Sequence, residues 1–120
     1  SSDLIHSAIN NGKISNTLKN SYLGSTIVEH VEDRLNIEID RKSLDYARFL
    51  THIKFAIQRI MENININNEL TKIIKSSYKE SFSIAEEVAE IIEDELGIKV
   101  MEDEVTFLTI HIERFRMSIR

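Results

Sequence analysis

The sequence predicts an all-α fold, a compact bundle of about five helices built from two antiparallel helix pairs. The chain of 120 residues contains no proline and only three glycines, which is too few for the many tight turns of a β-sandwich. Its apolar residues recur every three or four positions, which is the spacing of one helix face. Hydrophobic residues make up 42% of the chain, which is enough to build a core and argues against a disordered tail.

The start of the chain differs in composition from the rest. The first twenty residues are polar, rich in asparagine and serine, and contain the turn signal Asn11-Gly12. We expect residues 1–20 to form a linker or N-terminal arm and residues 21–120 to form the domain. A first helix is predicted at about 21–36, because apolar residues recur there every fourth position: Leu23, Ile27, Val31 and Leu35.

A second helix is predicted after a short connection at residues 36–39. Asp40 is its expected N-cap, since the aspartate carboxylate can accept a hydrogen bond from a free backbone N–H. An apolar stripe then continues to about Met61: Leu44, Ala47, Leu50, Ile53, Ile57 and Ile60.

The third and fourth helices are separated from the second by the asparagine-rich residues 63–68, because asparagine side chains compete for backbone hydrogen bonds. A short third helix is expected at about 69–76. The fourth helix is expected to end at Gly97, a residue suited to a C-terminal cap. Its start is left open, because Ser77 and Ser83 each precede a glutamate at the spacing of a capping box.

A fifth helix is predicted at 102–118, with acidic residues in its first turn and arginines in its last, as the helix dipole favours. The acidic cluster between Glu86 and Glu95 is expected to be the solvated face of the fourth helix. A docking surface for a basic partner is the alternative interpretation of that cluster.

The composition excludes several classes of protein. The chain has no cysteine, so disulfides, thiolate metal sites and cysteine nucleophiles are ruled out. No apolar run approaches the roughly 18 residues of a membrane span, and no signal peptide is recognisable, so we expect a cytoplasmic domain without membrane contact. The formal net charge is −5, and an acidic chain lacks the attraction that drives direct nucleic-acid binding.

A weak internal repeat is the most informative feature of the sequence. Residues 32–39 (EDRLNIEI) resemble residues 93–100 (EDELGIKV), and Phe49-Leu50-Thr51-His52-Ile53 resembles Phe107-Leu108-Thr109-Ile110-His111-Ile112. Each half therefore contains a helix, a short connection and a second helix with one histidine. A pseudo-two-fold axis between the halves would bring His52 and His111 close together.

Arginine lies on the same helix flank as each of these histidines. Arg48 and Arg59 share the flank of His52, and Arg114 lies one turn after His111. A neutral imidazole is a good nucleophile toward a phosphoryl donor, and a guanidinium can bind the resulting phosphate. His52 and His111 are thus candidate phosphoryl acceptors, with Arg48, Arg59 and Arg114 as candidate phosphate contacts and Arg59 and Arg114 favoured.

The spacing of these residues also fits a simpler interpretation. Histidines on a helix flank are often packed or surface residues, and the arginines could form surface ion pairs that contribute little. His30 is expected to be a solvated helix residue, and His6 lies in the polar arm. No two histidines are spaced as paired ligands on one helix, so no metal site is predicted. No catalytic triad spacing or glycine-rich phosphate loop is present, so we expect neither an enzyme nor a cofactor.

Two segments resemble the signatures of a known family. Residues 48–59 (RFLTHIKFAIQR) are similar to the first signature of the PTS regulation domain (PRD), and residues 103–114 (DEVTFLTIHIER) are similar to the second. The resemblance covers about residues 21–118. It implies a helical bundle of about five helices, of the kind found as tandem copies in bacterial regulators of sugar-utilisation genes.

The resemblance also implies a function and partners. Domains of this family are phosphorylated on histidine by sugar phosphotransferase proteins, either the phosphocarrier HPr or an enzyme II component, and His52 and His111 match the acceptors. Phosphorylation then shifts the packing of a homodimer and controls an effector domain. The best-known carriers are transcriptional antiterminators of the β-glucoside and sucrose type, whose RNA-binding domain is absent from this chain.

Thr51 precedes the first histidine at a position where a first copy often has aspartate, so the chain looks more like the second of two copies. Three alternatives remain at the level of the sequence. The domain could belong to a DNA-binding activator, or it could be a helical dimerisation module without phosphorylation. A histidine-phosphotransfer domain is disfavoured, because such domains usually offer one exposed histidine per bundle.

Overall fold

The computed structural model describes residues 21–67 and 69–118, and within them the chain forms five helices and no β-strand. The first helix, α1, covers residues 21–35 of this described part. The others are α2 (Leu44–Met61), α3 (Thr71–Ser77), α4 (Lys79–Leu96) and α5 (Glu102–Ser118). The predicted all-α bundle is confirmed, while the expected linker at residues 1–20 lies outside the described residues. None of the described helices is long and apolar enough to cross a membrane.

The core is built from one apolar face of each long helix. Leu44 and Ala47 depart from the predicted stripe, because they lie in the exposed first turn of α2, whose buried face begins at Phe49. Elsewhere the buried side chains recur every three or four residues, as the helical period requires. Those that are almost fully buried are Leu23, Ile27 and Val31 in α1, Ile53 and Ile57 in α2, Ile84, Val88 and Ile92 in α4, and Leu108 and Ile112 in α5.

The start of α2 differs from the prediction. Its N-cap is Ser43, whose hydroxyl accepts a hydrogen bond from the backbone N–H of Tyr46 at 3.1 Å. The expected cap, Asp40, instead accepts a hydrogen bond from the N–H of Lys42 at 2.9 Å. Asp40 thus closes a turn with a backbone group two residues on, which is the local bond that aspartate favours outside helices.

The start of α4 also differs from the prediction, since neither Ser77 nor Ser83 caps it. The helix begins at Lys79, and its N-cap, Tyr78, makes no side-chain capping bond. The N–H of Tyr78 still donates to the carbonyl of Ile74, while its own carbonyl accepts from Phe82. Because backbone bonds continue across this single-residue break between α3 and α4, a side-chain cap is not required.

The internal repeat has a clear structural counterpart. Asn36 and Gly97 follow α1 and α4 with φ values of 54° and 67°, so the expected cap at Gly97 is confirmed. After each turn, a glutamate of the preceding helix binds the returning backbone. Glu32 accepts from the N–H of Ile39 at 2.7 Å, and Glu93 accepts from the N–H of Val100 at 2.9 Å. We call these two bonds the carboxylate clasps; they hold each connection against the end of its helix.

We expect replacement of Glu93 by alanine to lower the free energy of unfolding by about 1–2 kcal/mol, because the N–H of the buried Val100 loses its acceptor. Urea unfolding followed by circular dichroism would measure the change. Asp94→Ala is the matched control, since it removes a neighbouring carboxylate that is exposed and should shift the free energy by less than about 0.5 kcal/mol. Equal losses in the two variants would mean that net charge, and not the clasp, is responsible.

His30 forms a contact with another helix that the sequence did not predict. Its Nε2 lies 2.7 Å from Oε1 of Glu87 on α4, and the same oxygen accepts from Nε of Arg34 at 2.7 Å. The Arg34 guanidinium, with a smaller contribution from His30, lowers the pKa of Glu87. His30 is therefore a half-buried structural link between α1 and α4 and not a solvated residue, and part of the acidic face of α4 serves to hold the bundle together.

Candidate functional site

The structure brings the two predicted histidines into direct contact. His52 on α2 and His111 on α5 stack with ring centroids 3.9 Å apart and an interplanar angle of 17°. Each precedes a fully buried isoleucine, Ile53 or Ile112, so each lies at the edge of the apolar face of its helix. Because α2 packs against α5, these two edges meet, as the repeat predicted.

Aromatic side chains surround the histidine pair. Phe107 lies edge-on to both rings, with its centroid 4.4 Å from that of His111 and 6.0 Å from that of His52. Phe49 and Phe115 pack edge to face at 5.4 Å and line the cavity beside the pair. Both histidines are therefore half-buried against apolar rings.

The ring nitrogens of His52 and His111 make no hydrogen bond to any group in the described part of the protein, in contrast to the Nε2 of His30. A histidine with a structural role usually has a hydrogen-bond partner when it is partly buried. The nitrogens of this pair keep their lone pairs and N–H groups available for an incoming molecule.

The environment also holds His111 in its neutral form. Burial is the largest cause, followed by electrostatic repulsion from His52, Arg114 and Arg59, and together they lower the pKa of His111 to about 4. At neutral pH the ring is therefore unprotonated at one nitrogen, which is the form that can act as a nucleophile.

Two arginines lie at the cavity beside the pair. The cavity has a volume of about 20 Å³, which is room for one water molecule. Arg48 and Arg114 line it, and neither guanidinium forms an ion pair or hydrogen bond within residues 21–67 and 69–118. The other arginines in those ranges all pair with carboxylates: Arg34 with Glu87, Arg41 with Glu32, Arg59 with Glu104, and Arg116 with Glu113.

Arg59, the third predicted phosphate contact, is already engaged. Its Nε and Nη2 each donate to one oxygen of Glu104, both at 2.9 Å. Its Cζ lies 4.5 Å from the centroid of the Phe107 ring, so the guanidinium packs on the aromatic ring that contacts both histidines. A contact between Arg59 and a phosphate stays a prediction, and it would use the N–H groups of the guanidinium that do not bind Glu104.

Sequence reasoning missed two acidic residues of the site. Asp45 lines the histidine cavity, and the carboxylate of Glu104 is almost fully buried against Arg59. Both lie in the first turns of their helices, where acidic residues are common because of the helix dipole. No local signal distinguished them from ordinary helix-start residues. Among the described residues, no group of three or more histidine, aspartate and glutamate side chains is placed to hold a metal ion.

Comparisons with known proteins identify the family of the chain. The family model described as "PRD domain" matches residues 25–115. The "PtsGHI operon antiterminator" of Bacillus subtilis (strain 168) is 31% identical over 96% of this chain and 42% of its own length. The "GlcA/glcB genes antiterminator" of Staphylococcus carnosus (strain TM300) is 34% identical over 71% of this chain and 30% of its own length.

A solved structure shares the fold. The chain described as "Crystal structure of GlcT CAT-PRDI" superposes with a TM-score of 0.70 at 26% identity, covering 80% of this chain and 56% of that one. The present chain spans less than half the length of the two curated antiterminators that it matches. The match over residues 25–115, the two antiterminator relatives and the shared fold show that the chain belongs to the PRD family.

Proposed function

We propose that this chain is the phosphoryl-acceptor domain of a bacterial sugar-operon antiterminator, and that His52 and His111 accept the phosphoryl group. The observation that carries the proposal is the stacked histidine pair, whose ring nitrogens have no hydrogen-bond partner among the described residues and which shares a cavity with two unpaired arginines. The names of the antiterminator relatives support this reading over a DNA-binding activator.

In the proposed reaction, an unprotonated ring nitrogen attacks the phosphorus of a phosphorylated donor protein. A new nitrogen–phosphorus bond forms, the bond between phosphorus and the donor breaks, and the donor atom leaves with its electron pair. The donors are HPr or a sugar-specific enzyme II component. The low pKa of His111 keeps its lone pair available at neutral pH. In this proposal Arg48 and Arg114, which line the cavity, bind the phosphate oxygens. The domain accepts a group and does not turn over a substrate, so its role is regulatory.

The regulatory output follows from charge. Phosphorylation replaces a neutral ring with a group of roughly two negative charges. We propose that this change shifts the packing of a cytoplasmic homodimer and thereby controls an RNA-binding domain outside this chain, while this segment itself binds no nucleic acid. A shift of a few kcal/mol is sufficient to reverse such a two-state equilibrium.

Replacing either histidine by alanine should abolish phosphorylation at that position, because the accepting nitrogen is removed. The test incubates the chain with phosphoenolpyruvate, enzyme I and HPr, and then measures its intact mass at neutral pH. The wild type should gain one or two acid-labile phosphates, and His52→Ala and His111→Ala should each lose their own site.

His30→Ala is the matched control for that experiment, because His30 binds Glu87 and should not be labelled. Circular dichroism would confirm that each variant is folded. A folded wild type that gains no phosphate from HPr or from an enzyme II component would contradict the proposal and would favour a helical dimerisation module.

A further inference from the structure

We propose that the unphosphorylated domain binds a free tetrahedral oxyanion, such as inorganic phosphate, noncovalently between Arg48 and Arg114 at the rim of the histidine cavity. The binding itself is independent of the proposed function. Its consequence, competition with the phosphoryl donor for the same place, rests on that function.

Two of the arginines in the described ranges lack a carboxylate partner. Four of the six arginines in the described ranges bind carboxylates, with N–O distances of 2.7–2.9 Å. Arg48 and Arg114 have no such partner, although they come from different helices and line the same cavity. Guanidinium groups bind tetrahedral oxyanions through pairs of N–H donors. Two unpaired guanidinium groups that line the same cavity from α2 and α5 therefore offer donors to an anion.

The histidine rings add donors to the same rim. An imidazole ring carries at least one N–H, and the rings of His52 and His111 have no hydrogen-bond partner in the described part of the chain. Asp45 is the one acidic side chain among the described residues that line the cavity. The local charge is thus positive, although the whole chain has a net charge of −5, so the attraction comes from this rim and not from the general charge of the protein.

The size of the cavity limits the ligand. A volume of about 20 Å³ holds one water molecule, so an anion must sit at the rim, where Arg48 and Arg114 are exposed. A small oxyanion can contact both arginines there, and an attached organic group would remove one of the charged oxygens that the arginines bind. The same position must admit the phosphoryl group of a donor on its way to either histidine, so a bound anion blocks that approach.

The test follows the histidine ring signals by NMR while inorganic phosphate replaces chloride at constant ionic strength and pH 7. The His52 and His111 signals should shift and saturate in the millimolar range. Arg48→Gln and Arg114→Gln should each raise the dissociation constant by about fivefold or more, because half of the charged donors are lost. Asp45→Asn should lower the dissociation constant by about twofold or more, because the one acidic group at the rim is neutralised.

Lys54→Gln is the matched control, because it removes one positive charge from an exposed position on α2 that is not part of the cavity. The dissociation constant of this variant for inorganic phosphate should equal that of the wild type. A linear, unsaturated shift, or equal effects in Lys54→Gln and Arg48→Gln, would overturn the proposal and indicate general screening by salt. Glycerol phosphate in place of inorganic phosphate distinguishes the sources. Weaker binding of the ester supports a free inorganic anion, and equal or tighter binding would overturn that choice in favour of a phosphomonoester.

Failure of this inference can be told apart from failure of the proposed function. The NMR titration uses no donor protein, and the labelling experiment contains no free phosphate when it is run in another buffer. If the anion binds at the rim and the histidines accept a phosphoryl group, added phosphate should raise the apparent KM of the labelling reaction for the donor protein. The maximal rate of labelling should be unchanged. A lower maximal rate at unchanged KM would contradict competition at the rim.

Discussion

Replacing Arg59 with methionine is expected to lower the free energy of unfolding by about 3 kcal/mol, which is the usual loss when one partner of a buried ion pair is removed. The side chain of Glu104 is only 4% exposed, and Arg59 supplies two hydrogen bonds to it at 2.9 Å. Without Arg59, the buried carboxylate has lost both bonds and gained no access to water. Methionine keeps much of the apolar stem of arginine, so the loss reports the charge and the hydrogen bonds more than packing.

A double-mutant cycle measures the interaction free energy between Arg59 and Glu104. It requires urea unfolding at pH 7 of Arg59→Met, Glu104→Leu and the double variant. We expect the double variant to be more stable than the sum of the two single changes implies, because it leaves no unpaired buried charge. Losses below about 1 kcal/mol in Arg59→Met would show that the pair behaves like a surface ion pair. The result bears directly on the site, since Arg59 also packs on Phe107, which contacts both histidines.

The same variants separate two possible roles of Arg59. If Arg59 only positions Phe107, Glu104→Gln should slow phosphorylation as Arg59→Met does, because each weakens the ion pair. If Arg59 binds the phosphate after leaving its partner, Glu104→Gln should speed phosphorylation, because it releases the guanidinium. Initial rates of labelling by HPr, measured on samples shown to be folded, distinguish these outcomes.

Features that depend on local sequence were predictable. The helical period of apolar residues placed all five helices within a few residues of their observed bounds. The repeat also predicted a tertiary contact, because equivalent positions in two similar halves can be related by a pseudo-two-fold axis. The predicted proximity of His52 and His111 is confirmed. The C-terminal cap at Gly97 was also predictable, since few other residues adopt a positive φ without strain.

The ion pairs and hydrogen bonds between distant residues were not predictable. Arg59 and Glu104 are 45 positions apart, and His30 and Glu87 are 57 apart. Arginine and histidine on a helix flank look the same in the sequence whether a carboxylate faces them or not. The distinction between Arg59, which is paired, and Arg114, which is not, therefore exists only in the packed structure.

Acidification from pH 7 to pH 5 is expected to lower the free energy of unfolding by about 2 kcal/mol through His111 alone. The folded-state pKa of this group is about 4, below its ordinary value of 6.5. Between those pH values His111 is protonated in the unfolded chain and unprotonated in the folded chain. The free energy of unfolding therefore falls as the pH falls. The full stability is present above about pH 6.5, and the loss is complete below about pH 4. The cause is the one that keeps the nucleophile neutral, namely burial beside His52, Arg114 and Arg59.

Urea unfolding of the wild type and of His111→Gln at pH 7, 6 and 5 isolates this contribution, because glutamine is neutral at all three values. The loss of stability from pH 7 to pH 5 should be smaller in the variant by about 2 kcal/mol. An NMR titration of the ring signals of His111 in the folded wild type measures its pKa independently. The ring should remain unprotonated at pH 5. Equal pH dependence in wild type and variant, or a ring that protonates near pH 6.5, would show that the stacked pair does not exclude the proton. In that case His111 would be partly protonated at neutral pH, and the argument that its environment prepares it for phosphoryl transfer would fail with it.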